Sequence, residues 1–144
     1  MHNKNKIKIF LVDDDPVYLK ILEIQFLEQA DFIIETFATG ELCVASLATK
    51  PDVIILDYHL DGLVHGAMNG IQTLDLIKKF DSEIPVIMLS SQDKIDVAIS
   101  CMHHEAYDYV VKSETAFVRL KKIITTIFFY NNMKKELNWY MERM

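Results

Sequence analysis

Short apolar segments alternate with amphipathic segments along most of the chain. The segment Ile7–Val12 is apolar, rich in β-branched residues and followed by three aspartates, and it predicts a buried strand. Similar segments predict four more strands at residues 32–37, 52–57, 84–89 and 107–111. Because these strands are apolar on both faces, they indicate a sheet that helices cover on both sides.

Helix-start residues lie between the predicted strands. Asp15 followed by Pro16 is typical of an N-cap with proline at the first helical position, and Asn69 with Gln72 predicts a capping box. Ser113 is the expected cap of a last helix that can run to the C-terminus. The other helices are predicted at 16–29, 40–49, 69–80 and 93–104.

The regular alternation of strand and helix predicts an α/β fold. We expect a (βα)5 doubly wound parallel sheet with an extended C-terminal helix. Right-handed crossovers limit the possible topologies, and the flavodoxin-like strand order 2-1-3-4-5 is one of the common outcomes. In that order the ligand crevice lies at the carboxyl ends of strands 1 and 3.

Composition narrows the class of protein. The chain has 144 residues, 51% of them apolar and 25% charged, which is typical of one globular domain. Its 15 basic and 21 acidic residues give a net charge of −6, which disfavours direct nucleic-acid binding.

Cys43 and Cys101 have no metal-site spacing and are expected to be buried thiols. The basic start, residues 1–6, lacks a signal peptide's long apolar region, and no apolar run approaches a membrane span, so we expect a cytoplasmic protein.

Polar side chains follow four of the five predicted strands. Asp13 and Asp14 follow strand 1, Asp57 ends strand 3, Ser90 follows strand 4 and Lys112 follows strand 5. Because parallel strands share one carboxyl edge, three carboxylates, a hydroxyl and an ammonium should meet there. Clustered carboxylates suit Mg²⁺, a carboxylate can attack phosphorus, and a lysine can stabilise the transferring charge.

The residues around these strand ends resemble the four motifs of the receiver domains of two-component response regulators, the CheY-like family. The similarity spans residues 6 to about 125, with the motifs in the family's order and spacing. The motifs are Val12–Pro16, Val53–Asp57, Pro85–Ser91 and Tyr107–Lys112.

The resemblance implies a role for each site residue. Asp57 would accept a phosphoryl group from a phosphohistidine on a sensor kinase or phosphotransfer protein. Asp13, Asp14, Asp57 and the backbone carbonyl of His59 would hold Mg²⁺. Ser90 and Lys112 would contact the phosphoryl oxygens, and Tyr109 would follow Ser90 inward as an aromatic switch. The switched surface, formed by helix 4, strand 5 and helix 5, would bind a downstream protein rather than nucleic acid or membrane.

The sequence departs from the family pattern at two places near the site. The glycine that opens the third helix is Gly70, thirteen residues after Asp57 where about eight is usual, so the loop between them is long. It is either a tolerated surface insertion or a segment that gates access to the site or contacts the kinase. Ser113 follows Lys112 where the family most often has a cis proline, and we expect a trans bond because a non-proline cis bond costs about 3 kcal/mol.

The third departure is the length of the last helix. We expect residues 1–125 to form the receiver domain and residues 126–144 to extend its last helix. Apolar residues recur along this helix at spacings of three and four, with Lys134 as the one polar break. The stripe consists of Leu120, Ile123, Ile127, Tyr130, Leu137, Met141 and Met144. The extension is either a dimerising helix, a partner-docking helix or a frayed tail.

Two other functions are also compatible with the sequence. Asp13-x-Asp15 with a distant lysine resembles haloacid-dehalogenase-type phosphohydrolases, although a late second acidic pair is missing. An unphosphorylated pseudo-receiver that only binds partners is the other alternative, and the complete set of acids, hydroxyl and lysine argues against it. The sequence predicts a non-enzymatic receiver with no room for an output domain after Lys112, and it leaves the cognate kinase, pathway, phosphoryl lifetime and oligomeric state open.

Overall fold

The computed structural model describes residues 6–29, 31–62 and 65–144. The strands are β1 (Ile7–Val12), β2 (Phe32–Phe37), β3 (Val53–Asp57), β4 (Val86–Ser90) and β5 (Asp108–Val111). The helices are α1 (Pro16–Leu27), α2 (Gly40–Ala45), α3 (Gly70–Phe80), α4 (Ile95–His103) and α5 (Ala116–Glu142), with a short 3-10 helix at Leu47–Thr49. Residues 1–5, on which the signal-peptide expectation rests, lie outside the described residues.

The five strands form one parallel sheet with the order β2-β1-β3-β4-β5, which confirms the predicted fold class. The register aligns Val12 with Leu56, Asp57 with Leu89, and Ser90 with Val111. The carboxyl ends of β1, β3, β4 and β5 therefore lie side by side, and we call this line of residues the carboxyl edge.

Each face of the sheet buries its own apolar layer, because successive strand residues point to opposite sides. Ile9 and Leu11 of β1 lie in the layer that α1 and α5 cover, whereas Phe10 and Val12 lie in the layer covered by α2, α3 and α4. Both cysteines are buried in the second layer, as predicted. Burial raises the pKa of the Cys43 thiol to about 12 and that of Cys101 to about 11, so both thiols stay protonated at neutral pH.

Helix starts agree with the sequence where a side-chain cap is present. Asp15 accepts from the N–H groups of Val17 and Tyr18, and the capping box between Asn69 and Gln72 is formed. The Ser113 prediction is wrong: α5 begins at Ala116 after Thr115, with no side-chain cap bond. The Ser113 hydroxyl instead lies 3.2 Å from the Thr115 hydroxyl, because the chain turns once more before the helix.

Other boundaries shift by a few residues. The second predicted helix ends at Ala45 and continues only as the 3-10 helix, and α4 begins at Ile95 rather than Asp93. No cis peptide bond occurs in the described residues, so the trans bond expected between Lys112 and Ser113 is confirmed.

Helix α5 extends beyond the sheet that it covers. Its buried residues end at Ile127, and we call residues 128–142 the overhang. A six-residue strand is about 20 Å long, and about 13 helical residues cover that distance, so the sheet is too short to cover the rest of α5. In the overhang, Tyr130 is 63% exposed and Leu137 is 59% exposed. The guanidinium of Arg143 lies 3.8 Å from the centre of the Trp139 ring. Within the described ranges, α5 and the shorter helices all lack the combination of length and apolarity that crossing a membrane requires.

Candidate functional site

Three carboxylates meet at the carboxyl edge. Asp13 and Asp57 are each only 3% exposed, and Asp14 is partly exposed beside them. One oxygen from each of the three residues lies within 4.8 Å of the others. The strand register produces this cluster, because β1 and β3 are paired and end at the same level.

The Lys112 ammonium lies against this cluster. Its Nζ is 2.9 Å from Asp13 Oδ2 and 3.5 Å from Asp57 Oδ1. The Lys112 backbone N–H donates to the Ser90 carbonyl at 2.8 Å, which fixes the residue at the end of β5. The side chain of Lys112 is 18% exposed, so water screens these charges only weakly.

The charges of the cluster are only partly balanced. Burial, together with the Asp13 charge, raises the pKa of Asp57 to about 7, although Lys112 and the His59 N–H oppose the shift. Burial acts to lower the pKa of Lys112, but its bonds and charge interactions with Asp13 and Asp57 outweigh burial and raise it. One ammonium therefore does not compensate two buried carboxylates.

The cluster has the chemistry of a divalent-cation site. Its donors are all carboxylate oxygens, which hard cations prefer. Among the described residues, Asp13 Oδ2 is one of the buried oxygens without a hydrogen bond, although Lys112 is close. The Lys112 ammonium balances only part of the charge of Asp13 and Asp57, so the cluster can accept a further positive charge. Asp13, Asp14 and Asp57 can therefore hold a metal ion.

Backbone N–H groups orient all three carboxylates. Asp13 Oδ1 accepts from the Asp15 N–H at 2.9 Å, and Asp57 Oδ1 accepts from the His59 N–H at 3.3 Å. Asp14 Oδ2 accepts from the Gly62 N–H at 3.2 Å, so the long loop after β3 contacts the site. Leu63 and Val64 of that loop lie outside the described residues.

Gly70 is required where the loop ends. A Cβ atom on Gly70 would lie 2.5 Å from the Asp57 carbonyl oxygen and 2.7 Å from the Tyr58 Cα. Because both neighbours are backbone atoms, only glycine allows α3 to begin this close to the end of β3. The long loop therefore returns the chain to the same edge of the sheet.

Ser90 and Tyr109 both contact the loop after β4. Ser90 is fully buried, and its Oγ accepts from the Gln92 N–H at 3.0 Å. The Tyr109 hydroxyl donates to the Gln92 carbonyl. Burial raises the pKa of Tyr109, so its hydroxyl keeps its proton. Gln92 thus connects the two residues that the sequence singled out.

The structure brings most of the predicted residues together. Asp13, Asp14, Asp57 and Lys112 form one cluster, and Ser90 with Tyr109 forms a second group around Gln92. The described contact of His59 is its N–H on Asp57, so the role predicted for its carbonyl stays a prediction.

Sequence reasoning missed Tyr18, whose ring centre lies 4.6 Å from Lys112 Nζ. It also missed the contacts of Gly62 and Gln92. The position of Tyr18 could have indicated it, because Tyr18 lies in the first turn of α1, three residues after the Asp15 cap.

Comparison with known proteins agrees with this geometry. Residues 9–125 match the model of the response regulator receiver domain. The chain is 36% identical over 117 residues to a protein-glutamate methylesterase/protein-glutamine glutaminase of Clostridium acetobutylicum, covering 78% of this chain and 32% of that protein. It is 31% identical over 105 residues to the nitrogen assimilation regulatory protein NtrX of Azorhizobium caulinodans, covering 72% of this chain and 22% of that protein.

A solved structure gives the same result for the fold. The response regulator domain of Thermotoga maritima CheB superposes with a TM-score of 0.73 at 26% identity, covering 85% of this chain and 96% of that one. The chain spans 22% and 32% of the two curated relatives, so the similarity concerns their receiver part. The family match favours the receiver prediction over the phosphohydrolase. The chain belongs to the response regulator receiver domain family and is a phosphoacceptor receiver of two-component signalling.

Proposed function

We propose that Asp57 is the phosphoacceptor of this receiver. The observation that carries the proposal is a buried carboxylate at the end of β3 with an ammonium 3.5 Å away and two other carboxylates beside it. An Asp57 oxygen would attack the phosphorus of a phosphohistidine. The P–N bond would break, and its electron pair would return to the imidazole nitrogen, which then takes a proton.

Asp13, Asp14, Asp57 and the His59 carbonyl would hold Mg²⁺. The ion, when bound, would supply positive charge opposite the phosphoryl oxygens. The chain's own residues do the remaining work. Burial of Asp57 and Asp13 excludes water from the acceptor oxygen, and the N–H groups of Asp15, His59 and Gly62 hold the carboxylates in place.

Lys112 and Ser90 would contact the oxygens of the transferred group. If Ser90 turns towards a phosphoryl group on Asp57, its Oγ leaves the Gln92 N–H unpaired. The loop after β4 must then rearrange, and Tyr109, bonded to the Gln92 carbonyl, must move with it. Phosphorylation would bias this two-state equilibrium because the rearranged state binds the phosphoryl group better.

The test is intact mass after incubation with Mg²⁺ and acetyl phosphate. We expect wild type to gain one phosphoryl group in a reaction that EDTA abolishes, and Asp57→Asn to gain none. Asp61→Asn is the matched control, because Asp61 is an exposed aspartate of the neighbouring loop and should leave labelling unchanged. Equal labelling of wild type and Asp57→Asn would disprove the assignment of the acceptor.

The same sample distinguishes a switch from an enzyme. We propose that the chain signals by binding proteins: a histidine kinase or phosphotransfer protein as donor, and a downstream protein at the α4–β5–α5 surface. The phosphate released during the labelling incubation should then stay near one equivalent per chain. Rapid release of many equivalents from a small phosphate ester would instead support a phosphohydrolase.

We also propose that residues 1–125 form the receiver and that residues 126–144 bind a second copy of this chain. The supporting observation is a stripe of exposed apolar side chains at spacings of three and four, which is the pattern of a coiled-coil seam. Its members are Tyr130, Met133, Leu137, Tyr140 and Met144, each at least 55% exposed.

Sedimentation tests the second copy. We expect a dimer for the full chain and a monomer after truncation at Tyr130 or for Leu137→Asp. Asn138→Asp is the control, because Asn138 lines the cavity between α5 and the starts of β1 and β3 and is not a member of the stripe. A full chain that stays monomeric at high concentration would rule out dimerisation through α5.

A further inference from the structure

The Lys112 ammonium is held from three directions. Asp13 Oδ2 lies 2.9 Å away, Asp57 Oδ1 lies 3.5 Å away, and the face of the Tyr18 ring lies 4.6 Å away, measured to its centre. Two of these neighbours are carboxylates of the acid cluster, and the third is an aromatic side chain from α1. An ammonium within about 6 Å of a ring centre is attracted to the negative face of the ring.

The Tyr18 ring is a fixed wall of the site. The residue lies in the first turn of α1, which is anchored by its Asp15 cap and by proline at its first position. Its side chain is half-buried and packs against the apolar layer that includes Leu22 and Phe26. A packed aromatic ring loses little further freedom by contacting a cation, whereas the four-carbon stem of lysine is flexible.

The ring differs from the carboxylates in one respect that matters for phosphoryl transfer. Asp57 loses its own carboxylate charge when it becomes an acyl phosphate, so its attraction for Lys112 changes during the reaction. The attraction of the Tyr18 ring does not depend on the state of Asp57. The ring can therefore keep the ammonium at the same place before and after transfer, beside the oxygens of the incoming group.

We propose that Tyr18 is a positioning residue for phosphoryl transfer, and that its ring face fixes the Lys112 ammonium between Asp13 and Asp57. The inference rests on the proposed role of Asp57 as acceptor. It predicts that the ring matters and the hydroxyl does not. Tyr18→Phe keeps the ring, and Tyr18→Leu removes it while leaving an apolar side chain for the core.

The first measurement is the NMR shift of the Lys112 ε-methylene protons, which needs neither metal nor phosphodonor. These protons should show an upfield ring-current shift in wild type and in Tyr18→Phe, and lose it in Tyr18→Leu. Circular dichroism and thermal unfolding check that Tyr18→Leu is folded. An unshifted Lys112 methylene in wild type would overturn the inference without touching the role of Asp57.

The second measurement is the rate of labelling with Mg²⁺ and acetyl phosphate. At saturating acetyl phosphate, Tyr18→Leu should be slower by about three- to tenfold, whereas Tyr18→Phe should match wild type. The acetyl phosphate concentration at half-maximal rate should change less than the maximal rate. Unchanged labelling of Tyr18→Leu would overturn the positioning role, and absence of labelling in wild type would instead refute Asp57 as acceptor.

A double-mutant cycle separates positioning from a general structural effect. In a Lys112→Met background the ring has no ammonium to hold, so Tyr18→Leu should have no further effect on labelling. A full additional loss in that background would show that Tyr18 acts independently of Lys112. If Lys112→Met is not labelled at all, the ring-current shift decides the question alone.

Discussion

The two ends of the sheet are unusual in opposite ways: one buries polar side chains, and the other exposes apolar side chains. At the carboxyl edge, Asp13, Asp57 and Ser90 are polar but buried. At the other end, the overhang of α5 carries apolar side chains that are mostly exposed, and Tyr130 and Leu137 are examples. A cavity of about 330 Å³ separates the overhang from the starts of β1 and β3.

The difference identifies two regions whose side chains are not arranged for maximal stability. Buried carboxylates repel one another, and exposed apolar surface gains nothing from the core, so neither end is optimised for folding. Under the proposed function, a cation and a phosphoryl group would complete the carboxyl edge. The overhang is too long for a small ligand to cover, so its partner would be a macromolecule. We propose that this partner is a second copy of the chain.

The largest contrast should occur within α5 itself. Leu120 is fully buried under the sheet, and Leu137 is 59% exposed in the overhang. Leu120→Ala should lower the free energy of unfolding by about 3 kcal/mol, because it leaves a cavity in the core. Leu137→Ala should change monomer stability by less than about 0.5 kcal/mol. Urea unfolding at a concentration where both variants are monomeric measures the pair, and similar losses would mean that the overhang packs on the domain.

The buried carboxylate of Asp57 at the carboxyl edge should make the stability of the protein depend on pH. The folded-state pKa of Asp57 is about 7, and an unfolded aspartate has a pKa of about 3.9. The unfolded chain therefore releases this proton first, and the contribution of Asp57 to the stability of wild type should fall as pH rises from about 4 to 7.

Asp57→Asn cannot ionise at this position and should avoid the loss. In EDTA, we expect Asp57→Asn to be more stable than wild type by a few kcal/mol at pH 8, with a difference near zero at pH 4. Added Mg²⁺ should reduce the difference at pH 8, because it compensates the carboxylates of wild type. A difference of the same size at both pH values would contradict the assigned pKa.

The smallest contrast concerns how the helices begin. Asn69→Ala removes the capping box of α3 and should cost about 1 kcal/mol. Thr115→Ala changes the N-cap position of α5, where no side-chain bond exists, and should cost less than about 0.5 kcal/mol. Thermal unfolding measures both, and an equal cost would mean that the Thr115 side chain stabilises α5 in another way.

The carboxyl edge was largely predictable because its residues follow from strand periodicity. Once the strands are parallel, the residues that end them must meet, so the closeness of Asp13, Asp57 and Lys112 needs only the strand order. The contact of Tyr18 with Lys112 was not predictable in this way, because it depends on the position of α1 relative to the carboxyl edge. The missing Ser113 cap depends on a local turn, which propensity alone does not determine.

The overhang was predictable only in part. The spacing of apolar residues predicted a helix to the C-terminus, and α5 does continue to Glu142. The predicted stripe, however, combined two faces: Leu120 and Ile127 are buried, whereas Tyr130 and Leu137 are exposed. The division depends on where the sheet ends beneath the helix, which is a property of the tertiary structure rather than of the pattern.

The position of the chain's single tryptophan has a spectroscopic consequence. Trp139 lies in the overhang, 49% exposed and next to Tyr140 and Arg143, far from the apolar layers of the sheet. Intrinsic tryptophan emission will therefore report what contacts the end of α5 and will be nearly silent on unfolding of the core. A blue shift with rising protein concentration would signal association, while circular dichroism would be needed to follow the fold.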